Sequence, residues 1–184
     1  SSPVRVAETI ARLYAGGELF LHIGVTLYET VLGFVLGTAA GTLIAIMLWW
    51  SPAINRVLDP YLVVLNALPK IALGPILIVW FGAGITSIIV MALLISFVVT
   101  IMSVLAGFNE ITGEKQLLMK TLGASKLQIF TMVVLPASLP TIMNALKISV
   151  GMSWVGVIVG EYLVSKAGLG YLIVYGGQVF KLDL

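Results

Sequence analysis

The chain has 184 residues, of which 60% are hydrophobic and only 10% charged, with a formal net charge of +2 and a mean hydropathy of +1.12. So much apolar surface excludes an ordinary soluble domain and makes the bilayer the solvent. The absence of cysteine and the single histidine, His22, exclude a thiolate metal site, a disulfide and most histidine-based catalysis, and the dispersed lysines and arginines exclude a nucleic-acid-binding stripe.

In chain order, Val4, Ala7, Ile10, Ala11 and Tyr14 alternate with Arg5, Glu8 and Arg12 at a roughly helical period. This predicts an interfacial amphipathic helix within residues 1–22, ended by Gly16-Gly17, with His22 as a polar anchor or, alternatively, a proton-sensitive ligand. A first span is expected at about 23–50, closing on the interfacial pair Trp49-Trp50. Gly33, Gly37, Gly41 and Ala45 recur every fourth position along it, so one face lets another backbone approach closely. That face serves helix packing, or slides during transport, or meets a second subunit. Glu29, near one end, is expected to be solvated or paired.

Asp59-Pro60 reads as an N-cap and first helical residue, starting a second span at about 60–82. Leu68-Pro69-Lys70 and Gly74-Pro75 break it. A broken span frees backbone groups that are tolerated only against a cavity or packed protein, which makes Asn66 and Lys70 candidates for lining a pathway. In the alternative, 52–67 lies along the membrane surface and Lys70 snorkels to the headgroups. After the turn Gly82-Ala-Gly84, a charge-free span is expected at about 85–107, where Thr100 and Ser103 either line a path or bond their own backbone.

Residues 114–140, EKQLLMKTLGASKLQIFTMVVLPASLP, are the one long amphipathic interruption. Thr112 can cap a first short helix, Glu114 suits its positive end, and Gly123 supplies a left-handed stop. Ser125 and Gln128 have capping-box spacing, and Pro136 is expected to end the second helix, giving 126–135. A last complete span at about 139–160 carries Lys147, which faces a water-filled path or subunit interface, or else snorkels. Glu161 to Gly170 is expected as a loop, with Gly168 and Gly170 as turn residues. The chain begins without Met and the stretch from Tyr171 to Leu184 is too short to span, so it reads as truncated at both ends.

No G-x-x-x-x-G-K-[ST] phosphate loop and no clustered nucleophile, base and acid occur, so the chain is expected to be neither an ATPase nor an enzyme and to bind no cofactor or metal. An ion-coupled secondary transporter would show inverted repeats and carboxylates deep in the membrane. No repeat is visible, and Glu29 and Glu161 stand near span ends.

Gly123 followed by Val133, Leu135 and Pro136 resembles the signature loop of the membrane-spanning subunits of bacterial ABC importers. Thr121-Leu-Gly-Ala-Ser125, Leu135-Pro-Ala-Ser-Leu-Pro140, Leu68-Pro-Lys-Ile-Ala-Leu-Gly-Pro75, Trp80-Phe-Gly82 and Gly168-Leu-Gly170 are similar to the nitrate, sulfonate, taurine and thiamine-precursor branch. One departure is that the Glu-Ala-Ala of the signature falls at Leu117-Leu118-Met119, leaving Glu114, a helical turn earlier, as the substitute charge.

The resemblance implies an all-α polytopic membrane protein with the type I ABC importer (MetI-like) transmembrane fold in the bacterial cytoplasmic membrane, with 1–22 outside and 112–135 as cytoplasmic coupling helices. Basic residues by loop, Arg56, Lys115, Lys120 and Lys126 inside against Arg5, Arg12 and Lys166 outside, orient it only weakly. It further implies a cytosolic ATPase dimer that uses ATP, a second permease subunit in a homodimer, an external substrate-binding protein, and a small polar or anionic solute. Coupling to the ATPase would fall to Glu114, Leu118, Lys120, Leu122, Gly123, Ala124, Ser125, Leu127, Phe130, Leu135 and Pro136. An amphipathic hairpin resting on the membrane is the alternative for this loop.

Overall fold

A computed structural model describes residues 3–111 and 113–179, and all regular structure within them is helical. Helix α1 (Pro3–Ala15) is followed by a turn with Gly17 at φ 74° and then α2 (Glu18–Trp50). Next come α3 (Pro52–Ala67), a 3-10 turn (Lys70–Leu73) leading into α4 (Gly74–Phe81), and α5 (Ile85–Asn109). The short helices α6 (Gly113–Thr121) and α7 (Lys126–Ile129) precede a π-helical turn (Phe130–Val134), α8 (Leu135–Val164) and α9 (Leu169–Gln178). Three helical stretches are long and apolar enough to cross a membrane, Glu18–Trp50, Ile85–Asn109 and Lys126–Val164, with a fourth if α3 and α4 count as one broken span. At about 1.5 Å per residue the first is roughly 50 Å long, well beyond the ~30 Å hydrocarbon layer, so its ends stand in the headgroups.

Two expectations about prolines are overturned. Helix α3 begins at Pro52, not at Pro60: the Ser51 hydroxyl accepts from the Ile54 N–H at 3.4 Å, and Pro60 lies inside the helix. The earlier cap wins because Pro52 occupies a first-turn position that needs no N–H donor, while Pro60 deletes one bond, to the carbonyl of exposed Arg56, where solvent or headgroups can substitute. Nor does Pro136 stop a helix. Helix runs unbroken from Lys126 to Val164, because the π turn widens the coil just before the proline: the Leu135 N–H reaches back to the Phe130 carbonyl, easing the clash a proline ring makes with the preceding turn. The last span therefore starts well before 139 and ends after 160, and Glu161 is helical rather than in a loop.

The chain forms two compact units. The first comprises residues 1–36, 69–96 and 150–184, the second 37–68 and 97–149. In the first, α2, α5 and α8 close on Ala92, which is fully buried. A Cβ on Gly33 would lie 2.8 Å from the Ala92 Cβ, and one on Gly156 would lie 2.6 Å from the Ala92 Cα. Small residues are what permit this approach, as is usual where lipid supplies no hydrophobic drive for helices to associate.

In the second unit, a Cβ on Gly41 would sit 2.9 Å from Thr100, whose hydroxyl pairs with that of Ser149 at 2.7 Å. Around them Leu48, Ile101, Val104, Phe108, Phe130 and Val134 form a buried core. Gly33, Gly37 and Gly41 are all buried.

Gly156→Ala should lower the thermal unfolding midpoint in detergent, because overpacking a close contact costs about 1–3 kcal/mol. Gly151→Ala, on the same helix with nothing within 4 Å of its would-be Cβ, should leave it unchanged. Equal midpoints would show that the helices separate freely at Ala92.

Candidate functional site

The stretch from Glu114 to Pro140 folds as an elbow of α6, a capped turn and α7 leading through the π-helical turn into α8. Helix α6 ends in a Schellman motif: the Gly123 N–H bonds the Lys120 carbonyl and the Ala124 N–H bonds the Met119 carbonyl, both at 3.0 Å, with Gly123 at φ 82°. Ser125 then opens α7 through a complete capping box, its hydroxyl accepting from the Gln128 N–H at 3.3 Å while the Gln128 side chain accepts from the Ser125 N–H at 2.8 Å. Four residues, Leu122 to Ser125, thus link the two helices with their backbone donors satisfied. Thr112, expected to cap α6, lies outside the described residues.

Burial divides the predicted contact residues. Leu118, Leu122 and Leu127 are exposed, as is Leu117, and Leu122 is 74% exposed in spite of its apolar side chain. Glu114, Lys120 and Pro136 are also exposed. Phe130, expected among the contacts, is instead buried: its ring lies 5.0 Å from that of Trp49 and 5.4 Å from that of Phe108. The side chain faces the core because the π turn starts at its position. Ala124 and Leu135 pack against the same core. Lys126 folds back, donating to the Trp50 carbonyl at 2.5 Å with its ammonium 5.6 Å from both the Trp49 and Trp50 ring centres. The elbow is tied to the second unit on one side and presents leucines on the other.

The family model described as "Binding-protein-dependent transport system inner membrane component" matches residues 33–184, which include this whole elbow. The chain belongs to that family. Among its relatives are a probable ABC transporter permease of Haemophilus influenzae (37% identical, covering 94% of this chain and 71% of the relative) and a putative aliphatic sulfonates transport permease of Bacillus subtilis (32%, 96% and 64%). The taurine transport system permease of Escherichia coli is 30% identical, over 93% of this chain and 62% of its own length. The chain thus spans about two thirds of the length of these relatives. It is a multi-pass inner-membrane protein of the type I importer fold.

For this family member, the candidate pathway residues fall in different units. Asn66, at the end of α3, and Lys147, on α8, are exposed and belong to the second unit, while half-buried Lys70, in the 3-10 turn, belongs to the first.

A different polar cluster, which the sequence reading dispersed, is assembled in the first unit. His22, expected as an interfacial anchor, is buried: its Nδ1 accepts from the Gly168 N–H at 2.9 Å and its ring stacks on Tyr171 at 5.9 Å. Thr26 Oγ1 accepts from the Leu169 N–H at 2.9 Å and donates to Glu161 Oε1 at 2.6 Å, and Glu161 Oε2 accepts from the Gly170 N–H at 2.6 Å. Three successive backbone donors of the Gly168-Leu-Gly170 turn are therefore held by three side chains. A Cβ on Gly168, at φ 111°, would overlap the Glu161 carboxyl.

Glu161 and Glu29 are 1% and 2% exposed, correcting the expectation of a loop position for the former, and of the two alternatives for Glu29 the structure has it paired beside Glu161, not solvated. The spacing of His22, Thr26 and Glu29, one helical turn apart on an apolar helix, is the signal that marks this polar face.

Gly123→Val should cost about 1–2 kcal/mol, the penalty for a left-handed residue with a Cβ, and reduce amide-exchange protection across 113–124. Unchanged protection would mean the Schellman turn does not hold the elbow. Thr26→Val, which removes both hydroxyl bonds but preserves shape, should lower the unfolding midpoint through a loss of about 1–3 kcal/mol for each orphaned partner. A midpoint equal to wild type would show that the turn is held without it.

Proposed function

We propose that this chain is the permease subunit of an ATP-driven importer, working as a homodimer with a cytosolic ATPase dimer and fed by an external binding protein. The observation that carries this reading is the elbow. Its second helix is continuous with a membrane span, and its outer surface carries Leu118, Leu122 and Leu127 where solvent would otherwise meet them.

The mechanics follow from stiffness. A docking loop can transmit force only if its internal bonds are stronger than the load, and here a Schellman turn and a capping box hold the corner while the Phe130 ring anchors it to the core. Closure of an ATPase cleft around the leucines would push α7 and α8 as one rod, re-aiming the span that carries Lys147. Glu114 and Lys120 would set the register. ATP binds and is hydrolysed on the partner, in keeping with a chain that has no phosphate loop.

Sulfonate and taurine in the names of two relatives favour a small anionic solute. Lys70 and Lys147, with Asn66, are the groups proposed to meet it, since a cation near the membrane interior attracts an anion that lipid repels. An ion-coupled transporter would not need the leucine surface.

Leu122→Glu should abolish capture of the ATPase by the tagged permease and reduce ATP-dependent uptake at least tenfold, since losing an interface anchor costs about 2 kcal/mol or more. Uptake and capture at wild-type levels would remove the coupling role from this surface.

A further inference from the structure

A cavity of about 350 Å³ opens beside the elbow within the second unit, lined by Trp49, Asn55, Asn109, Gln116, Lys120 and Lys126 among others. Its polar lining has a definite sign: two lysines and three side-chain amides, with no aspartate or glutamate among the described residues that line it. Lys126 gives one N–H to the Trp50 carbonyl, and its other donors have no carboxylate in this lining. Asn109, exposed in the same lining, adds a side-chain amide oxygen that can accept a hydrogen bond. Depth is set by Trp49 and Trp50, which close an apolar 33-residue helix and stand where tryptophans favour the headgroup layer.

We propose that this cavity binds a phosphodiester anion, presented by an anionic phospholipid whose headgroup carries hydroxyls, with phosphatidylglycerol as the fitting chemistry. The phosphate oxygens accept from Lys120, Lys126 and the amide of Gln116, and a headgroup hydroxyl donates to the side-chain oxygen of Asn109. The tryptophans hold the glycerol backbone of the lipid at the interface. Basic pockets at this depth are suited to anionic headgroups. A choline headgroup has no O–H donor for Asn109 and brings a cation toward the lysines, so it is disfavoured on both counts. Because the cavity touches the end of α2, the start of α3, α6 and α7, an occupying lipid steadies the corner on which the elbow turns.

The test is native mass spectrometry of the purified chain, scoring retained lipid after incubation with phosphatidylglycerol or phosphatidylcholine, with and without millimolar inorganic phosphate. The readout needs no ATPase, so its failure is separate from failure of the transport reading. Phosphatidylglycerol should be retained in preference to phosphatidylcholine, and phosphate should not displace it. Each lysine near an anionic lipid contributes roughly a fivefold preference, so Lys120→Gln/Lys126→Gln should lower retention about 25-fold, with the single variant Lys120→Gln intermediate.

Lys126→Arg should keep retention, and Lys166→Gln, elsewhere in the chain, should match wild type. Equal retention of both lipids, or retention unaffected by the lysine substitutions, overturns the proposal. Displacement by inorganic phosphate would show a soluble-anion site and overturn the lipid assignment. If wild type retains no phosphatidylglycerol while the double variant loses ATPase capture, the lysines belong to an acidic partner surface and the proposal is likewise wrong.

Discussion

In hydrocarbon an unpartnered backbone N–H or C=O costs several kcal/mol, and this constraint underlies nearly every local feature of the chain. Long spans meet it by uninterrupted helix. Where the path must change, the change is made with the donors accounted for: Ser51 caps α3, the Schellman turn and capping box close the elbow, and three side chains take the three N–H groups of the Gly168-Leu-Gly170 turn. Even Pro136, which lacks a donor, is accommodated by shifting the preceding turn to five-residue spacing.

The same constraint explains why the packing contacts are small and polar. Apolar surface gains little by leaving lipid for protein, so helices in a bilayer associate through close backbone approach and hydroxyl bonds. Ala92 between Gly33 and Gly156, and Thr100 bonded to Ser149 with Gly41 alongside, are these two devices in the two units. The glycine row on α2 is thereby occupied by α5 of the same chain, which favours ordinary helix packing for that face.

Function follows from a contrast of exposure. Leu118, Leu122 and Leu127 are exposed around one corner of the chain, which is the surface the proposed docking uses. The chain belongs to a family of binding-protein-dependent transport components, and the unbroken helix from Lys126 to Val164 gives a route from that corner into the membrane. Phe130, Ala124 and Leu135 tie the corner to the core from within.

Periodicity, caps and glycines are local quantities, and so the apolar helices ending at Trp50 and beginning at Ile85, the left-handed stop at Gly123, the Ser125–Gln128 box and the family signature were readable from residue order alone. What residue order left open was decided by neighbours distant in the chain. Pro60 and Pro136 looked like helix ends because a proline's local cost is visible, whereas its relief by an exposed face or a π turn is not. Glu161 looked like a loop residue and His22 like an interfacial anchor because their positions are near span ends, yet the Gly168-Leu-Gly170 segment, more than a hundred residues after His22, bonds both side chains, which are buried. Phe130 looked like contact surface until Trp49 and Phe108 arrived to bury it. Local backbone physics can be summed along a sequence, but burial belongs to the whole fold, and only the tertiary structure assigns it.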